Sequence, residues 1–466
     1  MTVAFAVIAL AAVAAVGVWS LSAVRTAEDY FVASRLAGPV LAGLGGTAAG
    51  ISAFVFVGGP GLFAAVGAAS LWIVLSAPLT TALQCWAVGE PVATMARERG
   101  ILTVPDLLAA RFGEGPVQLL AALAIVAGTV SMVAVQARAV AVLAPRVFDV
   151  PGWAAALAVT LATVAYTAAG GMRAGLPVEA AQGVLMGGAA LAVTAAALAA
   201  AGGPAAAWRT VAAARPELLG TWGAADPGRC LGWFLLFGLG TCAQPHYVQK
   251  FLMLRDRKAL RWLPLVGTVA LAAVLAVWLG LGLAGSALRE AGAIRFAAPD
   301  ELTPALIRSV LPPWAGVAAV AAVAAAVMST ATSLLNLGAA ALVRDIPVGL
   351  GRRPGGLGPA RAATVAVGGA ALLLALAWNR PLALLGVLGW GTFTAALFAP
   401  IVLGLNWPGA TRRGAVAALT AGPAVQLGLE AMGDRVAALG RFEPGLAGAA
   451  VGVVLLVALS WKGDGR

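Results

Sequence analysis

Oxygen-bearing groups share one helix face in an apolar stretch near residue 330. Residues 326–333 read Ala-Val-Met-Ser-Thr-Ala-Thr-Ser, and Ala326, Ser329 and Thr330 have the i, i+3, i+4 spacing of a single helix face. Two hydroxyls and a backbone carbonyl form an uncharged oxygen array, which suits a monovalent cation because divalent cations usually need carboxylates. The alternative is that these hydroxyls bond back to carbonyls one turn earlier. The spacing alone leaves both interpretations open.

A cation site needs more oxygens than this face offers, and the stretch 37–66 is where they are expected. Glycine and proline recur along it and interrupt a helix, which frees backbone carbonyls near residues 47–51. Close helix packing is the alternative reason for such small residues. A second interrupted stretch, 230–247, carries Gly238, Gly240 and Pro245. The residues concerned in the first stretch are Gly43, Gly45, Gly46, Gly50, Gly58, Gly59, Pro60 and Gly61.

The composition places both stretches in a membrane. Of the 466 residues, 61% are hydrophobic and 11% are charged, whereas a soluble domain has roughly 25% charged residues. A soluble globular enzyme is therefore excluded. Windows of about 19 residues predict an all-α integral membrane protein with about 13 transmembrane helices. The predicted spans are 3–24, 37–66, 68–90, 116–143, 151–170, 178–201, 230–247, 263–286, 314–342, 362–378, 382–404, 413–432 and 443–461.

The two interrupted stretches occupy corresponding positions in two halves of the chain. They are the first of spans 2–6 and the first of spans 7–11, so we expect a 5+5 inverted repeat with the transport site at the breaks. The predicted division is 1–36 for the first span and the following loop, 37–201 for the first repeat, 202–229 for an external loop, 230–404 for the second repeat, and 405–466 for spans 12–13 with a short cytoplasmic tail.

Membrane orientation accounts for the net charge of +11. The dense basic clusters at 250–261 and 344–361 fall on one side, so the positive-inside rule predicts an external N-terminus and a cytoplasmic C-terminus in the inner (plasma) membrane. The basic face is expected to contact anionic lipid, and no nucleic-acid partner is expected. Three separated cysteines, one histidine and no nucleophile–base pair predict no cofactor, no metal cluster and no enzyme activity.

Six motifs, in the correct order and spread over nearly the whole chain, resemble those of the sodium:solute symporter family. This family includes bacterial proline, pantothenate, acetate and sugar permeases. Each motif alone is weak, but their order makes the resemblance specific. The motifs are Asp29 to Arg35, Ile51 to Gly61, Tyr166 to Gly183, Gly238 to Phe251, Ala326 to Asp345 and Pro400 to Ala415.

The resemblance implies a leucine-transporter-like core in spans 2–11, with a sodium ion bound between spans 2 and 9. It also implies that Glu179, where the family often has aspartate, helps ions leave toward the cytoplasm. The alternative for Glu179 is a solvated charge at a helix N-terminus, paired with Arg173. The implied sodium ligands are the carbonyls of Ala48, Ile51 and Ala326 and the hydroxyls of Ser329 and Thr330.

The cargo is less closely defined. Gly50 and Phe54 stand where sugar carriers of the family have polar amides, which argues against a sugar, and the Gly-Gly-Pro-Gly run is similar to that of pantothenate-type carriers. A small organic acid or amino acid is therefore expected, its carboxylate met by free amides at a half-helix N-terminus. The candidate solute contacts are Gly50, Phe54, Gln136, Phe237, Thr241 and Gln244.

Together these features predict a secondary active transporter that couples inward sodium movement to the uptake of a small organic solute by alternating access. The alternatives are a proton-coupled or sodium-independent permease of the same fold, and a transporter-like sensor. A sensor needs an output domain, whereas only Trp461 to Arg466 follow the body of the last span. The sequence leaves open whether the protein is a monomer or a homo-oligomer.

Overall fold

The computed structural model describes residues 24–50, 52–380, 382–432 and 443–461. Within these ranges the regular structure is helical, apart from an isolated bridge between Ala37 and Leu254. The predicted first span, 3–24, lies outside the described residues except for its last residue, and so does the predicted ligand Ile51.

The helices of the described residues follow one another with short connections. The π-helical turns Cys85–Gly89 and Ala341–Asp345 continue one helix into the next, while Phe54–Gly58 precedes α3 and Ala399–Leu403 follows α17. In chain order the helices are α1 (Ala27–Val32), α2 (Pro39–Gly50), α3 (Gly59–Val66), α4 (Trp72–Gln84), α5 (Glu90–Arg99), α6 (Val104–Phe112), α7 (Pro116–Phe148), α8 (Gly152–Ala200), α9 (Pro204–Ala214), α10 (Pro227–Gly240), α11 (Pro245–Leu252), α12 (Leu263–Glu290), α13 (Leu302–Ser309), α14 (Pro313–Ala340), α15 (Ile346–Gly349), α16 (Leu357–Ala377), α17 (Leu382–Phe398), α18 (Arg412–Met432) and α19 (Pro444–Trp461).

Every predicted span from 37–66 onward coincides with helical segments. In the described part of the chain, 9 continuous helical stretches are long and apolar enough to cross a membrane. One of them, α8, contains two predicted spans, and the broken segments α2, α10 and α11 are too short to qualify alone. The number thirteen therefore stays a prediction, whereas the all-helical membrane architecture is confirmed.

Helix α8 runs for 49 residues and divides at Gly171. A straight helix of that length would measure about 74 Å, more than twice the hydrocarbon thickness of a bilayer. Gly171 adopts φ 47° and ψ −144°, and a Cβ there would lie 2.4 Å from the carbonyl oxygen of Tyr30. Glycine is therefore required on both conformational and steric grounds, and spans 5 and 6 meet at this residue rather than across a loop.

Both predicted helix interruptions are present. Span 2 breaks between α2 and the π-helical turn that starts at Phe54. Span 7 breaks between α10 and α11, where Gln244 is extended at ψ 115°. The glycines before the first break lie inside α2, where a Cβ at Gly43 would come within 2.9 Å of Val266 and one at Gly45 within 2.7 Å of Leu176. The packing interpretation is therefore correct for Gly43 and Gly45, and the break follows them.

Helix α14 lies at the centre of the bundle. It packs against α2, α7, α8 and α16, and the segment from Ser329 to Ala341 is buried throughout. An enclosed helical segment presents its polar side chains to protein rather than lipid, so these side chains need internal partners. This burial positions the oxygen-bearing face of α14 against the end of α2.

Candidate functional site

Three of the oxygens expected at the ion site meet between α2 and α14. Ser329 Oγ lies 3.0 Å from the carbonyl oxygen of Ala48 and 3.1 Å from that of Ala326. All three residues are fully buried, and Thr330 is 1% exposed beside them. The Ala48 carbonyl belongs to the last turn of α2, where the helix break leaves carbonyls without amide partners farther along the helix. The Ser329 hydroxyl does bond back toward Ala326, yet it also reaches across to α2.

The carboxylate of Glu179 is buried one helical turn away from this oxygen cluster. Its Oε1 accepts a hydrogen bond of 2.6 Å from Ser333 Oγ, and its Oε2 lies 2.5 Å from Lys250 Nζ. Lys250 Nζ also donates to Ser333 Oγ at 2.8 Å. The carboxylate and the ammonium are 0% and 4% exposed, so the pair is shielded from solvent and lipid.

Two expectations about these charges are wrong. Glu179 is neither solvated nor paired with Arg173, because helix packing places it against Lys250 instead. Lys250 was assigned to a cytoplasmic loop, but it belongs to α11 and is buried. Counting charges along the sequence does not distinguish a buried lysine from one in a loop, since a lysine at a helix end can point inward as readily as outward.

A cavity of about 130 Å³ lies beside the two helix breaks. Three of the predicted solute contacts, Phe54, Phe237 and Thr241, line it. On broken span 2 all lining residues lie at or before Val55, and on α12 they run from Leu263 to Trp278. The cavity therefore extends from the breaks toward the end of the bundle where the loop 253–262 leaves.

Aromatic rings form one wall of the cavity. Phe54 stacks on Phe237 with centroids 6.1 Å apart, and Phe237 stacks on Trp390 at 5.1 Å. Trp278 meets Phe54 edge to face at 5.3 Å. Such rings supply rigid apolar surface at low cost in side-chain entropy. The cavity therefore favours a solute with an apolar face.

Two further predicted solute contacts, Gln136 and Gln244, form hydrogen bonds to backbone groups at the helix breaks. Gln136 Oε1 accepts from the backbone N–H of Ala53 at 3.1 Å. Gln244 Nε2 donates to the carbonyl of Gly240 at 3.1 Å and to that of Trp390 at 3.2 Å. Neither side chain lines the cavity, and Gly50 is the last residue of α2.

The amides at the start of the second half of span 2 already have partners. Gln136 Oε1 accepts from Ala53, Ser52 Oγ accepts from Phe54 at 3.2 Å, and the Ser52 carbonyl accepts from Val55 at 2.9 Å. The expectation that free amides at this terminus receive a carboxylate is therefore wrong for these three groups. Their acceptors are a short serine and a glutamine from α7, which neighbouring-residue patterns do not reveal.

Several cavity residues were not expected from the sequence. His246, Tyr247 and Trp390 line it together, with the His246 and Tyr247 ring centroids 4.4 Å apart. Within the described residues His246 Nδ1 has no hydrogen-bond partner. Lys250 also lines the cavity. Pro245 could have indicated these cavity residues from the sequence, because residues directly after a helix break at membrane depth commonly face a cavity.

The motif at residues 29–35 anchors the chain just before span 2. Asp29 accepts hydrogen bonds from Ser34 Oγ and from the backbone N–H groups of Arg25 and Thr26. These bonds, that of Ser34 first, stabilise the carboxylate and lower the pKa of Asp29 to about 2. The next residue, Tyr30, accepts from Asn336 Nδ2 through its carbonyl at 2.9 Å. The motif thus ties the start of span 2 to α14.

Comparison with known families identifies the class of protein to which the chain belongs. The model of the sodium:solute symporter family matches residues 30–422, most of the chain. The chain belongs to the sodium:solute symporter family. The resemblance found in the sequence is therefore confirmed, and the protein is a sodium-coupled symporter of a small solute in the plasma membrane.

Two named transport proteins align with most of this symporter. The sodium/pantothenate symporter of Escherichia coli (strain K12) is 30% identical over 407 residues, covering 85% of this chain and 83% of its own. The high-affinity proline transporter PutP of Bacillus subtilis (strain 168) is 27% identical over 424 residues, covering 88% of each.

Solved structures show the fold of this symporter. A Na⁺-coupled sialic acid symporter in a substrate-bound outward-open state superimposes with a TM-score of 0.79 at 19% identity, covering 97% of this chain and 96% of that one. Mhp1, a nucleobase-cation-symport-1 family transporter, superimposes with a TM-score of 0.60 at 13% identity, covering 92% and 93%. The predicted leucine-transporter-like fold is confirmed.

Proposed function

We propose that this symporter imports a small organic acid or amino acid with sodium bound between α2 and α14. The main support for the ion site is the position of Ser329 Oγ, which lies 3.0 Å from the carbonyl oxygen of Ala48 and 3.1 Å from that of Ala326. Oxygens this close together can contact one small cation at the same time. Thr330, buried beside Ser329, and Ile51, just beyond α2, complete the proposed ligand set.

Three observations support a carboxylate cargo. The similar symporter from Escherichia coli and the similar transporter from Bacillus subtilis are named for pantothenate and proline, both of which carry a carboxylate. The cavity is small and aromatic, which suits a compact solute with an apolar face. Among its described lining residues Lys250 is the one lysine or arginine, which gives the cavity a cationic side chain.

The proposed orientation has an external N-terminus and a cytoplasmic C-terminus, with the basic loops on the cytoplasmic side. The cavity then extends toward the cytoplasm, since it reaches Phe251 and Leu263 on either side of the basic loop 253–262. An inward sodium ion gains about 2.3 kcal/mol per 100 mV, which supports about a fiftyfold solute gradient. Anionic lipid on the same face is the proposed membrane partner.

The test is uptake of radiolabelled pantothenate, L-proline and a panel of other small acids into proteoliposomes. We expect uptake driven by an inward NaCl gradient, no uptake with choline chloride, and no loss of uptake when a protonophore is added. A proton gradient that drives uptake without sodium would instead establish the proton-coupled alternative. Sodium-independent uptake would establish a permease.

Ser329→Ala isolates the ion site within the same assay. Removing one ligand oxygen is expected to raise the sodium concentration for half-maximal uptake by about tenfold or more, a change of about 1.4 kcal/mol. Ser286→Ala is the matched control, because Ser286 is also buried but lies in α12 away from the oxygen cluster. An unchanged sodium dependence in Ser329→Ala would contradict the proposed ligand.

A further inference from the structure

Lys250 belongs to two environments at once. Its side chain lines the solute cavity, while its ammonium lies 2.5 Å from Glu179 Oε2 and 2.8 Å from Ser333 Oγ. Opposite its stem, Gly46 offers no side chain, and a Cβ built there would still be 3.7 Å from Lys250 Cγ. A lysine stem is flexible, so rotation about its bonds can carry the ammonium between the carboxylate and the cavity.

The carboxylate of this pair adjoins the proposed sodium site. Ser333 follows Ser329 by four residues and therefore lies on the same face of α14. A Cβ at Gly45 would lie 3.6 Å from Glu179 Oε2, and Gly45 precedes Ala48 by three residues on one face of α2. Glu179 thus hydrogen-bonds to α14 and faces α2, one turn along each of the helices that supply the sodium oxygens.

A buried carboxylate at this position needs one positive charge, and two cations of equal charge are available. The Lys250 ammonium supplies it in the structure, with Ser333 bridging the two groups. A sodium ion leaving the adjacent oxygen cluster carries the same charge and prefers the same carboxylate and hydroxyl oxygens. Exchanging one for the other leaves the net charge of the buried region unchanged, which avoids the large cost of an uncompensated buried ion.

We propose that sodium and the Lys250 ammonium compete for Glu179, and that the displaced ammonium binds the solute carboxylate in the cavity. Lys250 is then the residue that couples the ion to the cargo. Sodium at Glu179 strengthens solute binding because it frees the ammonium, and by reciprocity a bound carboxylate strengthens sodium binding at Glu179. This inference rests on the proposed function, from which it takes the carboxylate cargo.

The experiment measures two binding reactions separately on the purified full-length chain. One is ²²Na⁺ binding by a scintillation proximity assay, and the other is binding of radiolabelled pantothenate and L-proline with and without NaCl. The variants are Glu179→Gln, Lys250→Met and the double substitution, which leaves no unpaired buried charge. Lys258→Met is the matched control, since Lys258 is exposed in the basic loop.

Glu179→Gln frees the ammonium permanently, so this variant binds the carboxylate probe without sodium, within about threefold of the wild-type affinity at saturating sodium. Lys250→Met removes the competitor, so ²²Na⁺ binds about tenfold tighter while the carboxylate probe binds about tenfold weaker or not at all. The double variant shows weak probe binding at any sodium concentration. Lys258→Met matches the wild type in both assays.

The competing explanation is a static ion pair that links α11 to α8 and α14. In that case each single variant loses thermal stability, but probe binding by Glu179→Gln still requires sodium and ²²Na⁺ affinity in Lys250→Met is unchanged, which overturns the proposal. If Lys250→Met cannot be purified, Lys250→Gln removes the same charge while keeping a hydrogen-bond donor for Glu179 and Ser333, and it shifts ²²Na⁺ affinity in the same direction.

Failure of the proposed function is distinguishable from failure of this inference. A wild-type protein that binds ²²Na⁺ but neither carboxylate probe contradicts the carboxylate cargo. The ²²Na⁺ comparison between Lys250→Met and the wild type still decides the cation exchange. Equal affinities overturn the exchange, and a tighter variant supports it.

Discussion

At the residue scale, Gln136 shows how a buried amide can stabilise a helix break without lining the adjacent cavity. It is 1% exposed, accepts from the Ala53 N–H at 3.1 Å, and donates to the Met132 carbonyl at 3.2 Å. The Ala53 amide is the first donor of the second half of span 2, which has no carbonyl one turn earlier in its own helix. Gln136 therefore replaces the missing helical acceptor at the break.

We predict that Gln136→Leu destabilises the protein by about 1–3 kcal/mol, because a buried N–H loses its only side-chain acceptor. Thermal unfolding followed by tryptophan fluorescence in detergent measures the loss. Gln182→Leu is the control, since Gln182 Oε1 is buried without a hydrogen-bond partner in the described structure. Removing this oxygen therefore leaves no donor without an acceptor. Equal stability of the two variants would show that Gln136 does not cap the break.

The residues of the ion site differ in how far the sequence reveals them. The i, i+3, i+4 spacing places Ala326, Ser329 and Thr330 on one face, because a helix converts local spacing directly into proximity. The Glu179–Lys250 pair could not be predicted, since the two residues are 71 positions apart and meet only because α8 and α11 both pack against α2 and α14. Contacts between helices depend on crossing angles and rotamers that no local pattern encodes.

At the element scale, the single glycine at position 171 lets one continuous helical stretch serve as two spans. Its φ of 47° lies in the left-handed region, and the position for a Cβ is filled by the carbonyl oxygen of Tyr30. The sequence predicted two spans here but placed a loop at 171–177. The residues after Gly171 remain helical, and Pro177 lies inside this second part of the helix.

Gly171→Ala is expected to cost about 2 kcal/mol or more, from the left-handed conformation and from the clash with Tyr30. The measurement is thermal unfolding together with the yield of folded, monodisperse protein. Gly187→Ala lies in the same helix with nothing within 4 Å of its Cβ position, and it should be neutral or slightly stabilising. Comparable losses in both variants would assign the effect to helix flexibility in general.

Helix breaks were predictable as elements, although their exact limits were not. Proline and glycine in spans 2 and 7 identified the two interruptions because both residues weaken helical hydrogen bonding. Gly43 and Gly45 belong to α2 and serve packing, so glycine count alone does not locate a break. The acceptors that hold the break, Gln136 and Ser52, decide where the helix can resume.

At the scale of the whole molecule, the cavity is closed on one side and extends toward the other. Beyond Val55 the second half of span 2 packs tightly, with a Cβ at Gly59 only 2.4 Å from Trp278 and one at Gly61 2.2 Å from the Pro299 carbonyl. The lining instead continues to Phe251 and Leu263, next to the basic loop. This asymmetry is typical of an alternating-access carrier that is open on one side, and in the proposed orientation that side is the cytoplasm.

Cysteine labelling tests both the open side and the proposed orientation. In a background with Cys85, Cys230 and Cys242 changed to serine, Leu271→Cys places a thiol in the cavity wall. We expect a membrane-impermeant thiol reagent to label it at least about tenfold faster in inside-out than in right-side-out vesicles, because access follows the open end. Val269→Cys, whose parent side chain is 63% exposed on the outer surface of the bundle, should resist this water-soluble reagent from both sides.

Faster labelling in right-side-out vesicles would reverse the proposed orientation, since the positive-inside argument and the cavity direction both depend on the loop 253–262 being cytoplasmic.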